Sequence, residues 1–170
     1  MQNNPLPHRR RKVHVSILTP NFHAPTASVS NLFALLDKHP SARIPSGELS
    51  VAFLDDAEIC RVHAQFLNDP SPTDVITFPS PNDDSPDGES LAGEICVCVP
   101  YAHREAAKHG NTPATELLLY LVHGWLHLAG YDDIHDADRD AMRKAEQETL
   151  SYLEKTGFSP QWSFPHSPPK

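Results

Sequence analysis

The sequence predicts an α+β (mixed α/β) domain: a single small mixed sheet of about four strands packed with about five helices. Two observations carry that expectation. Short β-branched or alternating apolar runs recur at residues 13–18, 48–54, 75–78 and 91–99, and segments with helical apolar spacing separate and follow them. A third places a metal site at the end of a buried central helix. It is the stretch His123-Gly124-Trp125-Leu126-His127-Leu128-Ala129-Gly130-Tyr131-Asp132-Asp133.

In chain order, residues 1–12 read as a basic N-terminal tail, with His8-Arg9-Arg10-Arg11-Lys12 as a solvated or polyanion-touching arm. A single metal-hydrolase-like domain is expected over 13–156. Val13–Leu18 alternates and is β-branched, a first strand. Ser28–Asp37 carries Val29, Leu32, Phe33, Leu35 and Leu36 at helical spacing. Glu48–Leu54 is a second strand, after which Asp55 or Asp56 caps a helix running to about Leu67. A proline-marked loop leads to the short strand Val75–Phe78, and a long acidic loop from Pro79 to Ser90 follows. Leu91–Val99 is a fourth strand, and its Gly93 is of the kind that permits close backbone approach.

Tyr101–His109 reads as a short helix. Pro113 then sits at the first position of the central helix, whose run Glu116–Val122 is apolar almost all the way round. Asp136–Lys155 is a last amphipathic helix with Ala137, Met142, Ala145, Leu150 and Leu153 among charges. From 157 to 170 the chain is Pro-rich and expected to be a poorly ordered tail.

Composition sets bounds. At 170 residues, 39% apolar and 21% charged, the chain suits one soluble domain with its own core. A net charge of −8 disfavours the broad basic surface of a strong nonspecific nucleic-acid binder. Much of the acid lies at Asp83–Glu89 and Asp132–Asp140. The three cysteines, Cys60, Cys96 and Cys98, make no disulfide framework; with no secretory signal, they point to the cytoplasm. No segment is long enough to span a membrane, so no membrane partner is expected.

Histidines four apart on a helix lie about 40° apart around its axis, one turn above the other, so both rings can reach one point. Gly130 stands where a left-handed residue would end the helix and fold the chain back. Two imidazoles and one returning carboxylate make a three-ligand set suited to one Zn²⁺, with a fourth position open to water. The competing reading is a pair of hydrogen-bonded core histidines. Burying two imidazoles in so apolar a helix is costly without partners, which favours the metal.

Three blocks together resemble the YbeY family of metal-dependent endoribonucleases: Pro72-Thr73-Asp74-Val75-Ile76-Thr77-Phe78-Pro79, Leu91-Ala92-Gly93-Glu94-Ile95, and His123 through Asp132. The resemblance covers roughly residues 13–155. It implies one bound Zn²⁺ and cleavage of single-stranded RNA in 16S rRNA 3′-end maturation and ribosome quality control. It also implies the ribosome or ribosomal proteins as partners, and no DNA. The family pattern has its third metal histidine where this chain has Asp133, so the expected ligands are His123, His127 and Asp133, with His135 the alternative third. The family's functional arginine, six residues before the threonine of the first block, falls on Leu67, and Arg61 is the candidate to substitute for it. Asp132 is the candidate general base or orienting carboxylate, or else only a turn cap.

Two other functions remain open. A zinc metalloprotease would place Glu directly after the first histidine, where this chain has Gly124. A non-catalytic, ribosome-associated zinc protein would use the metal to hold its fold, and such sites usually close with four protein ligands.

Overall fold

A computed structural model describes residues 10–80 and 90–165. The acidic loop Asp83–Glu89 and most of the expected N-terminal tail lie outside the described residues, as do 166–170.

Among the described residues ten elements follow one another: β1 (Val13–Leu18), α1 (Thr26–Leu36), β2 (Glu48–Leu54), α2 (Asp56–Leu67), β3 (Val75–Pro79), β4 (Leu91–Cys98), α3 (Val99–Ala106), a 3₁₀ turn (Ala107–His109), α4 (Pro113–Leu128) and α5 (Asp136–Lys155). The strands form one sheet in the order β1-β2-β4-β3. β1, β2 and β4 run parallel, and β3 joins β4 antiparallel as an edge. The expected mixed sheet with five helices is what the chain forms. The central strands β2 and β4 are nearly continuously buried, as strands covered on both faces must be.

Apolar side chains fill two layers. On one face α1, α4 and α5 pack Leu32, Phe33, Leu121, Trp125 and Met142 against Val51 and Ile95. On the other, α2 sets Ile59 against Ala52, Ile76 and Cys96. Cys96 and Cys98 are free thiols in this layer, and burial pushes the pKa of both up to about 12. They are packing groups rather than metal-binding thiolates.

Three details differ from expectation. Val99 opens α3 instead of closing β4, because Pro100 has the fixed φ and missing N–H of a first helical turn. Arg11, grouped by charge with a solvated arm, is almost buried: it grips Asp37 at 2.9 Å and donates to the carbonyls of Pro45 and Gly47. Within the described residues, the segment beyond Gly157 does not trail away. His23 and Ser163 exchange two backbone hydrogen bonds of 3.0 Å, and Trp162 is buried beside Phe53. Its aromatic residues outweigh its prolines, which only keep it from forming a helix. No helix among the described residues is long and apolar enough to cross a membrane.

Candidate metal centre

The site is built from the end of α4. Thr112 caps that helix by accepting from Thr115 N, and Pro113 follows at the first helical position. Beyond Leu128 the backbone closes in a Schellman turn. Gly130 N donates to His127 O at 3.0 Å, Tyr131 N donates to Leu126 O at 3.0 Å, and Gly130 adopts φ +98°. That reversal returns the chain alongside the last helical turn.

α4 can lie this close to the sheet because of two glycines. A Cβ on Gly124 would stand 2.9 Å from Ile95 Cγ2 and 3.1 Å from Val75 Cγ2. A Cβ on Gly93 would stand 2.7 Å from Leu128 Cδ2, and Gly93 also has φ +145°. The close approach expected of Gly93 is therefore real, and it is made by α4, the helix that carries His123 and His127.

His123 Nε2 and His127 Nε2 face each other at 2.9 Å. Asp133 Oδ2 lies 3.4 Å from the first and 3.7 Å from the second. The far nitrogens are both engaged by acceptors: His123 Nδ1 donates to Glu146 Oε1 at 2.5 Å, and His127 Nδ1 donates to the Tyr131 carbonyl at 3.1 Å. With both Nδ1 atoms protonated, the neutral rings turn Nε2 lone pairs toward each other and toward a carboxylate oxygen. Three acceptors converging in this way repel one another unless a cation lies among them. Tetrahedral zinc with bonds of about 2.0–2.1 Å holds its donors about 3.3 Å apart, close to the spacings here. These three residues could hold one metal ion, and they are the one such group among the described residues.

Burial works against a charged His123, yet its pKa is raised. The Glu146 hydrogen bond and charge, with Asp74 and Asp133 nearby, outweigh desolvation. Glu146 is the residue that sequence reasoning missed. It lies on α5 beside the buried positions Met142, Ala145 and Thr149, so a carboxylate at the border of an apolar face was its one available signal.

The remaining candidates lie elsewhere. Asp132 is exposed and accepts from the N–H of its neighbour Asp133 at 2.7 Å. His135 is exposed at the N-cap of α5 and is not in the three-residue group. Arg61 is exposed and pairs with Glu58 at 2.8 Å. Leu67, at the end of α2, is 57% exposed, and Arg61 lies about 9 Å back along the axis. Thr73 donates to Asp74, whose carboxylate also accepts from Val75 N, closing the turn into β3.

Comparison with known proteins agrees with this architecture. The family model "Endoribonuclease YbeY" matches residues 19–154. Endoribonuclease YbeY of Protochlamydia amoebophila is 43% identical over 108 residues, covering 64% of this chain and 71% of that protein. The protein of the same name from Rhodococcus opacus is 34% identical over 157 residues, covering 75% and 83%. The solution structure of TM1509 from Thermotoga maritima superposes with a TM-score of 0.53 at 26% identity, covering 92% of this chain and 99% of that one. The match spans the elements from α1 to α5, including the helix that presents His123 and His127, and the chain belongs to the endoribonuclease YbeY family.

Proposed function

We propose that this chain is a zinc-dependent endoribonuclease that cuts single-stranded RNA, acting in 16S rRNA 3′-end maturation and ribosome quality control. One zinc ion would be held by His123, His127 and Asp133. The observation that carries the proposal is the convergence of two Nε2 atoms and a carboxylate oxygen, with both Nδ1 atoms engaged by outer acceptors. A nitrogen and oxygen donor set of this kind suits zinc. The three protein donors leave a position for water or a phosphoryl oxygen, and the exposed side of Asp133 keeps that position wet.

When bound, the ion supplies Lewis-acid stabilisation of the phosphodiester's developing charge and acidifies water. The chain's own part is positioning. Glu146 and the Tyr131 carbonyl fix both rings with Nε2 inward, and the Schellman turn sets the Asp133 carboxylate opposite them. Peptide hydrolysis fits poorly. The place of a protease's general base is Gly124, packed so tightly against Ile95 and Val75 that a glutamate would not fit. RNA and the ribosome are the proposed partners, and the cytoplasm, which suits three free thiols, the proposed location.

Leu67 in the place of the family's arginine favours a second reading, a non-catalytic zinc protein of the ribosome. One experiment separates the two. Purified protein and His127→Ala are compared for zinc content and for cleavage of single-stranded RNA, with precursor 16S rRNA as a second substrate. The proposal expects the substitution to remove zinc and cleavage together. Zinc bound without any cleavage by the parent protein would support the binding module, and a His127→Ala protein that kept both would refute the metal centre.

A further inference from the structure

A second site opens at the same end of the sheet. A cleft of about 780 Å³ lies where the start of β1 meets the end of α1 and the loop before β2, and its lining includes Arg10, Arg11, Lys38, Arg43, Ser46 and Gly47. Asp37 is the one acid among the lining residues, and Arg11 neutralises it with a bidentate pair. Arg11, whose side chain is only 9% exposed, also donates to the carbonyls of Pro45 and Gly47, so it builds the cleft floor rather than serving a ligand. Arg10, Lys38 and Arg43 are exposed and form no ion pair among the described residues. Three uncompensated cations thus line one concavity in a chain whose net charge is −8.

The position of the cleft gives this charge a use. α4 runs antiparallel to β4, since Gly124 lies over Ile95 and Leu128 over Gly93. The metal-bearing end of α4 therefore stands at the start of β4. That start is tied to the cleft: Glu48 N donates to Ser90 O at 2.8 Å, and Ser90 Oγ donates to the carbonyl of Ser46 in the cleft lining. β1 and β4 flank β2, so the cleft and the metal-bearing end of α4 both lie at the end of the sheet where the parallel strands begin. An RNA strand bound at the three ligands and extending toward β1 would meet these cations with its phosphates. Phosphate contacts of this kind set affinity and register without reading bases.

We propose that this cleft is an RNA-backbone subsite, in which Arg10, Lys38 and Arg43 hold phosphates of the strand that is cut at the metal centre. The inference rests on the reading of the chain as an RNA-cutting enzyme, and it gives that enzyme a source of phosphate affinity independent of position 67.

The test is the salt dependence of RNA binding by the zinc-loaded chain. Stopped-flow anisotropy of a labelled single-stranded RNA reads binding ahead of any turnover. Lys38→Ala/Arg43→Ala should make the plot of log affinity against log salt shallower by about 1.4, and adding Arg10→Ala by about 2.1, at about 0.7 for each phosphate left without its cation. For the double variant, the loss of affinity relative to the parent should be about sevenfold larger at 50 mM than at 200 mM salt. Zinc content should not change. Lys108→Ala/Lys155→Ala, which removes two exposed lysines from other places, should leave the slope as it was. An unchanged slope in Lys38→Ala/Arg43→Ala overturns the subsite, as does an equal loss in the control pair or a parent protein that binds no RNA. Cleavage by the parent is scored separately, so the endoribonuclease reading can stand while the subsite falls.

Discussion

Glu146 makes the metal centre testable from outside the ligand set. Its Oε1 receives the His123 Nδ1 proton at 2.5 Å, and both side chains are less than one-fifth exposed. The bond fixes the ring with Nε2 toward His127, and the carboxylate's charge makes that nitrogen a stronger donor. Removing such an outer partner costs about 10–100-fold in metal affinity, or about 1.4–2.8 kcal/mol. Glu146→Gln keeps an oxygen in place but removes the charge, so it belongs at the weaker end of that range. Glu146→Leu removes both and belongs at the stronger end. Zinc affinity is measured by competition with a chromogenic chelator, and RNA cleavage is followed as zinc is titrated. The expected pattern is a shift of the activating zinc concentration by the same factor as the affinity, with the Gln variant recovering activity at saturation. A Glu146→Leu protein that bound zinc as tightly as the parent would show that His123 is not oriented in this way.

Three further outcomes concern the frame around the site. Gly124→Ala should destabilise by about 1–3 kcal/mol, since its Cβ meets branched side chains at 2.9–3.2 Å, and urea unfolding reads the loss. His39 is buried edge-on to Trp125 and Tyr152, and its ring accepts from Ser41 N. Burial lowers its pKa against the opposing pull of Glu148. A depressed histidine contributes stability that is present above the unfolded pKa of about 6.5 and lost as pH falls through the folded value. The parent protein should therefore lose more stability than His39→Asn between pH 7.5 and 5; parallel thermal melts in zinc-free buffer read the difference, and an equal loss in both proteins would refute it. Trp162→Ala should cost about 3–5 kcal/mol if the C-terminal segment is part of the core, whereas a tail would tolerate it.

The parts legible in the sequence share one property: their physics is local. The four-residue spacing of His123 and His127, the left-handed Gly130 and the returning Asp133 all lie within eleven residues, where helix geometry and a single cap decide position. The same holds for Pro113 and Asp55 at helix starts and for the alternation of the strands. Glu146, in contrast, is 23 residues from the ring that it orients, and only the packing of α5 on α4 brings it there. Spacing alone left His135 as an alternative to Asp133. The start of α5 separates them, holding His135 at the exposed N-cap while Asp133 remains in the turn beside the rings.

Charge was read too broadly from the chain for the same reason. The basic run before β1 looks uniform, yet Asp37, 26 residues away, buries Arg11 and leaves Arg10 at the cleft rim. The sequence by itself determined which segments are helix or strand and where two imidazoles would meet, because hydrogen bonds a few residues apart and apolar periodicity settle those matters. Only the tertiary structure decided the strand order β1-β2-β4-β3, the carboxylate behind His123 and the basic cleft at the start of β1. Those depend on contacts between distant segments, and their sequence separations carry no periodic signal.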